Sequence, residues 1–190
     1  MNKEMQIAIV GVVGTLAGTF LGWLLNNISQ RGKVNIYIAS FIDEFKYNNE
    51  IGCMVPSSSI AETQCYAYKL ILDLYNSSGE TKILRNLTIV FSDGKTDVFK
   101  SVPNDDSTGR CSGPLWLYDQ ISPINIPPKS ILQLNLHNGV WHDNGGLDFL
   151  WKTKKIYMTY TDENNKLRKT SIKSEDYSSY FENHKVEESK

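Results

Sequence analysis

The chain has 190 residues, 41% of them hydrophobic, with 20 basic and 21 acidic side chains and a formal net charge of −1. That length accommodates one domain with a real core plus additional segments, and two full domains would be cramped. A pI near 6.3 removes the bulk electrostatic attraction that phosphate backbones require, so nucleic acid is not an expected partner.

The first predicted element is apolar. Residues 5–25, MQIAIVGVVGTLAGTFLGWLL, carry no charge, and as a helix they extend about 31 Å, matching a hydrocarbon core of about 30 Å. Trp23 sits near one end, where an indole suits the membrane interface, and Asn26 and Asn27 mark the exit. A cleaved signal peptide would need a basic start, a shorter apolar run and a small-residue cleavage site. Here Lys3 is offset by Glu4 and no A-x-A pattern follows. The reading is a retained single-pass anchor over residues 1–30, in contact with membrane lipid.

Gly14, Gly18 and Gly22 recur at i, i+4 and i+8 within it. They form one stripe that lets a partner backbone approach closely, so a homo-oligomer through this glycine zipper is expected. Orientation is nearly tied on the flanking charges, Lys3 with the amino terminus against Arg31 and Lys33. The odd count of three cysteines, Cys53, Cys65 and Cys111, tips the globular part to the cytoplasmic side of the cell membrane. A Cys53–Cys65 bridge would mark the opposite orientation.

From residue 34 the pattern changes to the period-two alternation of half-buried strands. VNIYIASF alternates Val34, Ile36 and Ile38 against polar or small residues. CYAYKLILDLYN puts Tyr66, Tyr68, Leu70, Leu72 and Leu74 on one face. ILRNLTIVF is read with Ile83, Leu87, Ile89 and Phe91 on its buried face. The intervening NSSGETK has the residues and length of a loop joining adjacent strands. Ser59 three residues before Glu62 reads as a capping box on a short helix. DGK at residues 93–95 signals a turn before the short strand TDVFK, and residues 103–113 read as a long surface loop. Pro127 and Pro128 cannot donate to a ladder and fix the next strand start near Ser130. KIYMTYTDENNKLRKTSI is the clearest hairpin, with Ile156, Met158 and Tyr160 inward.

About seven short strands without a long amphipathic helix give an all-β class, an antiparallel β-sandwich over residues 31–173 preceded by one transmembrane helix. The LYNSSG turn, the PP lead-in and the YTDENNKLRK hairpin resemble those of immunoglobulin and fibronectin type III sandwiches anchored in bacterial membranes. The resemblance is to an architecture rather than a named family, and it implies no activity. It departs from antibody-type domains because the closing hairpin has no cysteine to pair with Cys65. Residues 174–190 form an acidic tail, in which Tyr177, Tyr180 and Phe181 have a spacing that docks a short helix or turn.

Chemistry-bearing motifs are sparse. No G-x-S-x-G, G-x-G-x-x-G or P-loop pattern occurs, so no catalytic residue, cofactor or metal is assigned and catalysis is disfavoured. The alternative is a membrane-tethered enzyme or ligand-binding domain using His137, His142 and Asp143. Trp116, Tyr118, Trp141, Phe149 and Trp151 lie in or beside loops. Trp116, Tyr118, Trp141 and Trp151 are the candidate contacts to a protein partner of unknown identity. Seven basic residues against two acidic ones between positions 151 and 173 make Lys152, Lys154, Lys155, Lys166, Arg168 and Lys169 a candidate membrane-surface patch. The functional expectation is a non-catalytic, membrane-anchored sandwich for protein–protein interaction or self-assembly.

Overall fold

The structure, a computed structural model, describes residues 2–142, 146–174 and 176–177. In chain order the elements begin with α1 (Lys3–Gln30), β1 (Val34–Asn48), β2 (Met54–Pro56), β3 (Cys65–Asn76), β4 (Lys82–Ser92) and β5 (Asp97–Ser101). There follow β6 (Asn104–Asp105), the 3₁₀ turn η1 (Asp106–Thr108), β7 (Arg110–Ser112), β8 (Leu115–Leu117) and β9 (Ile124–Ile126). The chain closes with β10 (Ile131–Trp141), α2 (Asp148–Lys152), β11 (Lys155–Thr161) and β12 (Leu167–Lys173).

α1 buries none of its residues against the rest of the protein and is long and apolar enough to cross a membrane. Two of its hydroxyls are satisfied within the helix: Thr15 donates to the Gly11 carbonyl at 2.9 Å and Thr19 to the Thr15 carbonyl at 2.8 Å.

Strands β7 and β8 pair separately as a two-stranded hairpin, and two antiparallel sheets pack face to face as an Ig-like β-sandwich. One has the order β2-β1-β3-β10-β6 and the other β12-β11-β4-β5, with β9 also paired to β4. β3 is central to the first sheet, and Tyr66, Tyr68, Leu70, Leu72 and Leu74 are all at most 1% exposed. Each such burial contributes about 2 kcal/mol relative to exposure. Facing them are Leu84, Leu87, Ile89 and Phe91 of β4 with Ile156 and Met158 of β11. α2 closes one end with Phe149 and Leu150, and the Phe149 ring stacks on Phe99 at 4.3 Å. Phe149 is therefore core.

Several sequence expectations are corrected. β3 and β4 do not pair; they lie in opposite sheets, and the NSSG turn carries the chain across the core. The Asn76 side chain makes that crossing possible, donating to the carbonyls of Glu80 (2.7 Å), Ile126 (3.0 Å) and Pro127 (3.0 Å). Ile83 is 38% exposed while Leu84 is buried, because Asn86 takes a left-handed φ of 54° and switches the parity of β4. In β1 the register shifts between Ile38 and Ser40, so the inward set continues as Phe41, Asp43 and Phe45. Residues 103–113 are not all loop but include β6, η1 and β7. Ser59 does accept the Glu62 N–H at 3.3 Å, yet only a turn follows and no helix. The pair Pro127 and Pro128 does precede β10, which starts at Ile131 as expected near Ser130.

Candidate functional site

The β7–β8 hairpin is a continuous exposed apolar feature of the sandwich. It turns at Gly113, whose φ of +62° a side chain would strain, and every residue of both strands is exposed. Leu115 and Trp116 are each 63% exposed. Its base is hydrogen-bonded. The Arg110 guanidinium grips the Asp119 carboxylate with two bonds of 2.8 and 3.0 Å, and holds that carboxyl below the usual range. The Asp119 N–H donates to the Thr108 hydroxyl at 2.8 Å, and the Asp105 N–H to the Asp119 carbonyl at 3.0 Å.

Rings continue from the hairpin onto the sheet. Trp116 stacks on Tyr118 with centroids 6.4 Å apart, and Tyr118 meets the His137 ring edge-on at 4.5 Å. The far side of His137 is fixed by its Nδ1 against the Asp106 carboxylate. Tyr118 also covers Gly109, where an added Cβ would lie 2.8 Å from its ring.

The four candidate aromatics are not gathered into one patch. Trp116 and Tyr118 share the hairpin column. Trp141 ends β10, four residues beyond His137 and so about 13 Å along the strand, and Trp151 projects from α2, 52% exposed. His137 finds its carboxylate in Asp106, a residue that chain spacing did not select. The His142 N–H donates to the Gln64 carbonyl at 2.8 Å, and Asp143 lies outside the described residues, as do Tyr180 and Phe181. Among the described residues no three His, Cys, Asp or Glu side chains are grouped as a metal would need. Cys53, Cys65 and Cys111 are unpaired, with Cys65 buried.

The basic run is divided. Lys154 and Lys155 lie beside Ser92 at one end of β11, next to Lys152 at the end of α2. Lys166 and Arg168 flank the turn at the other end, about 20 Å away. There Asp162 accepts the N–H groups of Asn164 and Lys166, both at 2.9 Å, and the Arg168 Nε at 2.8 Å. Lys169 sits between the ends with its Nζ 3.2 Å from the centre of the Tyr157 ring. The two halves of the run therefore lie at opposite ends of the hairpin, because strand direction carries them apart.

The glycines also separate into two kinds. An added Cβ at Gly14, Gly18 or Gly22 would meet nothing within 4 Å. At Gly32 it would fall 2.3 Å from the Ser77 carbonyl carbon and the Ser78 nitrogen. That close approach lets the Ser77 hydroxyl donate to the Lys33 carbonyl at 2.8 Å and lets the Gly79 N–H reach the Ser29 carbonyl at 2.9 Å. The helix is thereby fastened to the NSSG turn.

Sequence reasoning missed a buried charged cluster. Asp43, whose side chain has no exposed surface, accepts from the Tyr66 hydroxyl at 2.5 Å, from the Tyr177 hydroxyl, and from the Lys173 ammonium at 2.8 Å. The available signal was a lone aspartate between Phe41 and Phe45 on the inward parity of β1. The expectation that Tyr177 docks holds, since it is fully buried.

The sequence profile of the YopI Ig-like domain matches residues 32–173. The chain belongs to the YopI Ig-like domain family. The match runs from the Gly32 joint to Lys173, takes in every strand, and leaves α1 outside. A relative, the SPbeta prophage-derived uncharacterized protein YopI of Bacillus subtilis (strain 168), is 25% identical over 165 residues, covering 85% of this chain and 92% of that one. Among solved structures, an uncharacterized β-sandwich protein of Clostridium difficile 630 aligns over 74% of this chain and 86% of its own, at 15% identity and a TM-score of 0.33. One assigned to ApaA of Bordetella pertussis aligns over 75% and 89%, at 12% identity and a TM-score of 0.36.

Proposed function

We propose that this YopI Ig-like domain is a non-catalytic protein-binding module held at the cell membrane by α1, with its partner contacting the β7–β8 hairpin. The observation that carries the reading is the hairpin itself. Leu115, Trp116 and Leu117 are exposed on a hydrogen-bonded base, and solvent contact of that kind costs free energy that an apolar partner surface recovers. Self-assembly through Gly14, Gly18 and Gly22 is compatible with the same role, since their stripe faces open space on an unburied helix. The cytoplasmic placement of the domain belongs to the proposal as well.

A photo-crosslinking residue placed at Leu115 of the full chain in its native membrane tests this. A discrete adduct is expected at Leu115 and not at Ile131, an exposed residue on β10, and Trp116→Ala lowers its yield by about tenfold or more. An adduct at twice the chain mass identifies a second copy as partner. Equal labelling at Leu115 and Ile131 rejects the hairpin as the contact.

A second reading, an enzyme or ligand-binding domain built on His137, draws support from the Asp106 contact, because a carboxylate on one imidazole nitrogen orients the other as a base. The Tyr118 edge packed on that ring weighs against it.

A further inference from the structure

We infer that the cleft at the foot of the sandwich, beside the end of α1, binds the headgroup of an anionic phospholipid. This rests on reading α1 as a membrane span. The cleft has a volume of about 510 Å³, and its lining includes Gln30, Arg31, Lys33, Lys82, Asp162 and Arg168. Gln30 is the last residue of α1 and Arg31 its C-cap, so a helix that leaves the bilayer here sets the cleft at headgroup depth.

Its charge is organised. Lys82 bonds Glu163 at 3.1 Å and Arg168 bonds Asp162 at 2.8 Å, so two cations are internally balanced. The side chains of Arg31 and Lys33 make no ion pair or hydrogen bond among the described residues, leaving two free cations at the mouth. The opposite wall is the β11–β12 turn, kept in shape by the N–H groups that Asp162 accepts. Gly32 also lines the cleft, and its close approach to Ser77, with the Lys33 N–H donating to the Ser77 hydroxyl at 3.0 Å, anchors the backbone that carries Arg31 and Lys33. Lys129, bonded to the Ser77 carbonyl at 2.6 Å, adds positive charge at the same end.

An arginine fork and an ammonium suit a phosphodiester oxygen pair. The carbonyl end of α1 opposes an anion, so binding depends on these side chains. A bilayer crossed by α1 supplies headgroups at high effective concentration, which favours lipid over free phosphate as the occupant.

The test uses the full chain in nanodiscs of phosphatidylcholine alone and of phosphatidylcholine with phosphatidylglycerol in equal parts. Retained lipid is counted by native mass spectrometry. Phosphatidylglycerol is expected to stay on the chain in preference to phosphatidylcholine. Its retention should fall about fivefold for each of Arg31→Gln and Lys33→Gln, and Arg31→Lys should restore part of the loss. The combined variant Lys152→Gln, Lys154→Gln, Lys155→Gln, at the other end of β11, should retain it fully.

Absence of a phosphatidylglycerol preference, or an equal loss in that distant variant, overturns the inference. So does binding of inorganic phosphate in phosphatidylcholine discs with the same dependence on Arg31 and Lys33 but without lipid retention. Alkaline carbonate extraction separates this inference from its premise. A chain released by carbonate fails the anchor reading and the inference together, whereas a resistant chain without lipid preference fails the inference alone.

Discussion

Asp43 is a carboxylate placed among aromatic rings, and it is tolerated there because Tyr66, Tyr177 and Lys173 converge on it from β3, the C-terminal segment and β12. Burying a charge unpaired costs several kcal/mol, and the three donors offset that cost. The same burial has a consequence for the tyrosines. Desolvation, with Tyr177 and Asp43 adding to it, holds Tyr66 well above its ordinary pKa. Burial likewise raises Tyr68, and burial with the Asp97 contact pushes Tyr157 up to about 12. Below about pH 10 these phenols are protonated in both folded and unfolded chains, so pH has no leverage through them. Above it the unfolded chain releases protons that the folded chain retains, and stability falls as pH rises. Of the ten tyrosines, Tyr66 and Tyr68 are therefore expected to ionise only as the domain unfolds, and Tyr157 later than the exposed tyrosines. Phenolate absorbance followed together with circular dichroism against pH checks this, and ionisation of all ten before any loss of structure would contradict it.

Among the elements, β4 shows how one backbone conformation redirects a strand. Leu84 points inward before Asn86 and Leu87, Ile89 and Phe91 point inward after it, which a strict alternation cannot do. The left-handed φ of Asn86 supplies the odd step. Asn86→Gly is expected to leave stability nearly unchanged, and Asn86→Val to lower it by about 2 kcal/mol, read from denaturant midpoints. The alternation of β3 and of the β11–β12 hairpin was legible in the sequence because no such step interrupts them. β4 was misassigned because Asn within a strand reads as an ordinary polar position. The hairpin aromatics Trp116 and Tyr118 were legible as candidates, being large rings beside glycine and proline. Their partner His137 was not, since β10 brings it from further along the chain.

For the whole molecule, α1 and the sandwich are separable in energy although they are joined. α1 contributes no buried residue, and its fastening rests on the Ser29, Lys33 and Ser77 bonds. A fragment beginning at residue 31 is therefore expected to unfold at a temperature within a few degrees of the full chain in detergent, because about 1 kcal/mol per lost bond shifts the midpoint little. Differential scanning calorimetry of both checks it, and a fragment that fails to fold would show that α1 is part of the core. That α1 is long and apolar enough to cross a membrane, the strand character of most segments and the start of β10 follow from the sequence alone. Each depends on neighbours in the chain: an uncharged run, a period of two, a proline pair. Only the tertiary structure decided that β3 and β4 face each other from different sheets and that the basic run is divided. It alone brought Asp43 to Tyr177 and set Arg31 and Lys33 at the mouth of a cleft. Those outcomes depend on which distant segments pair, and hydrophobic periodicity specifies that a face is buried without specifying against what.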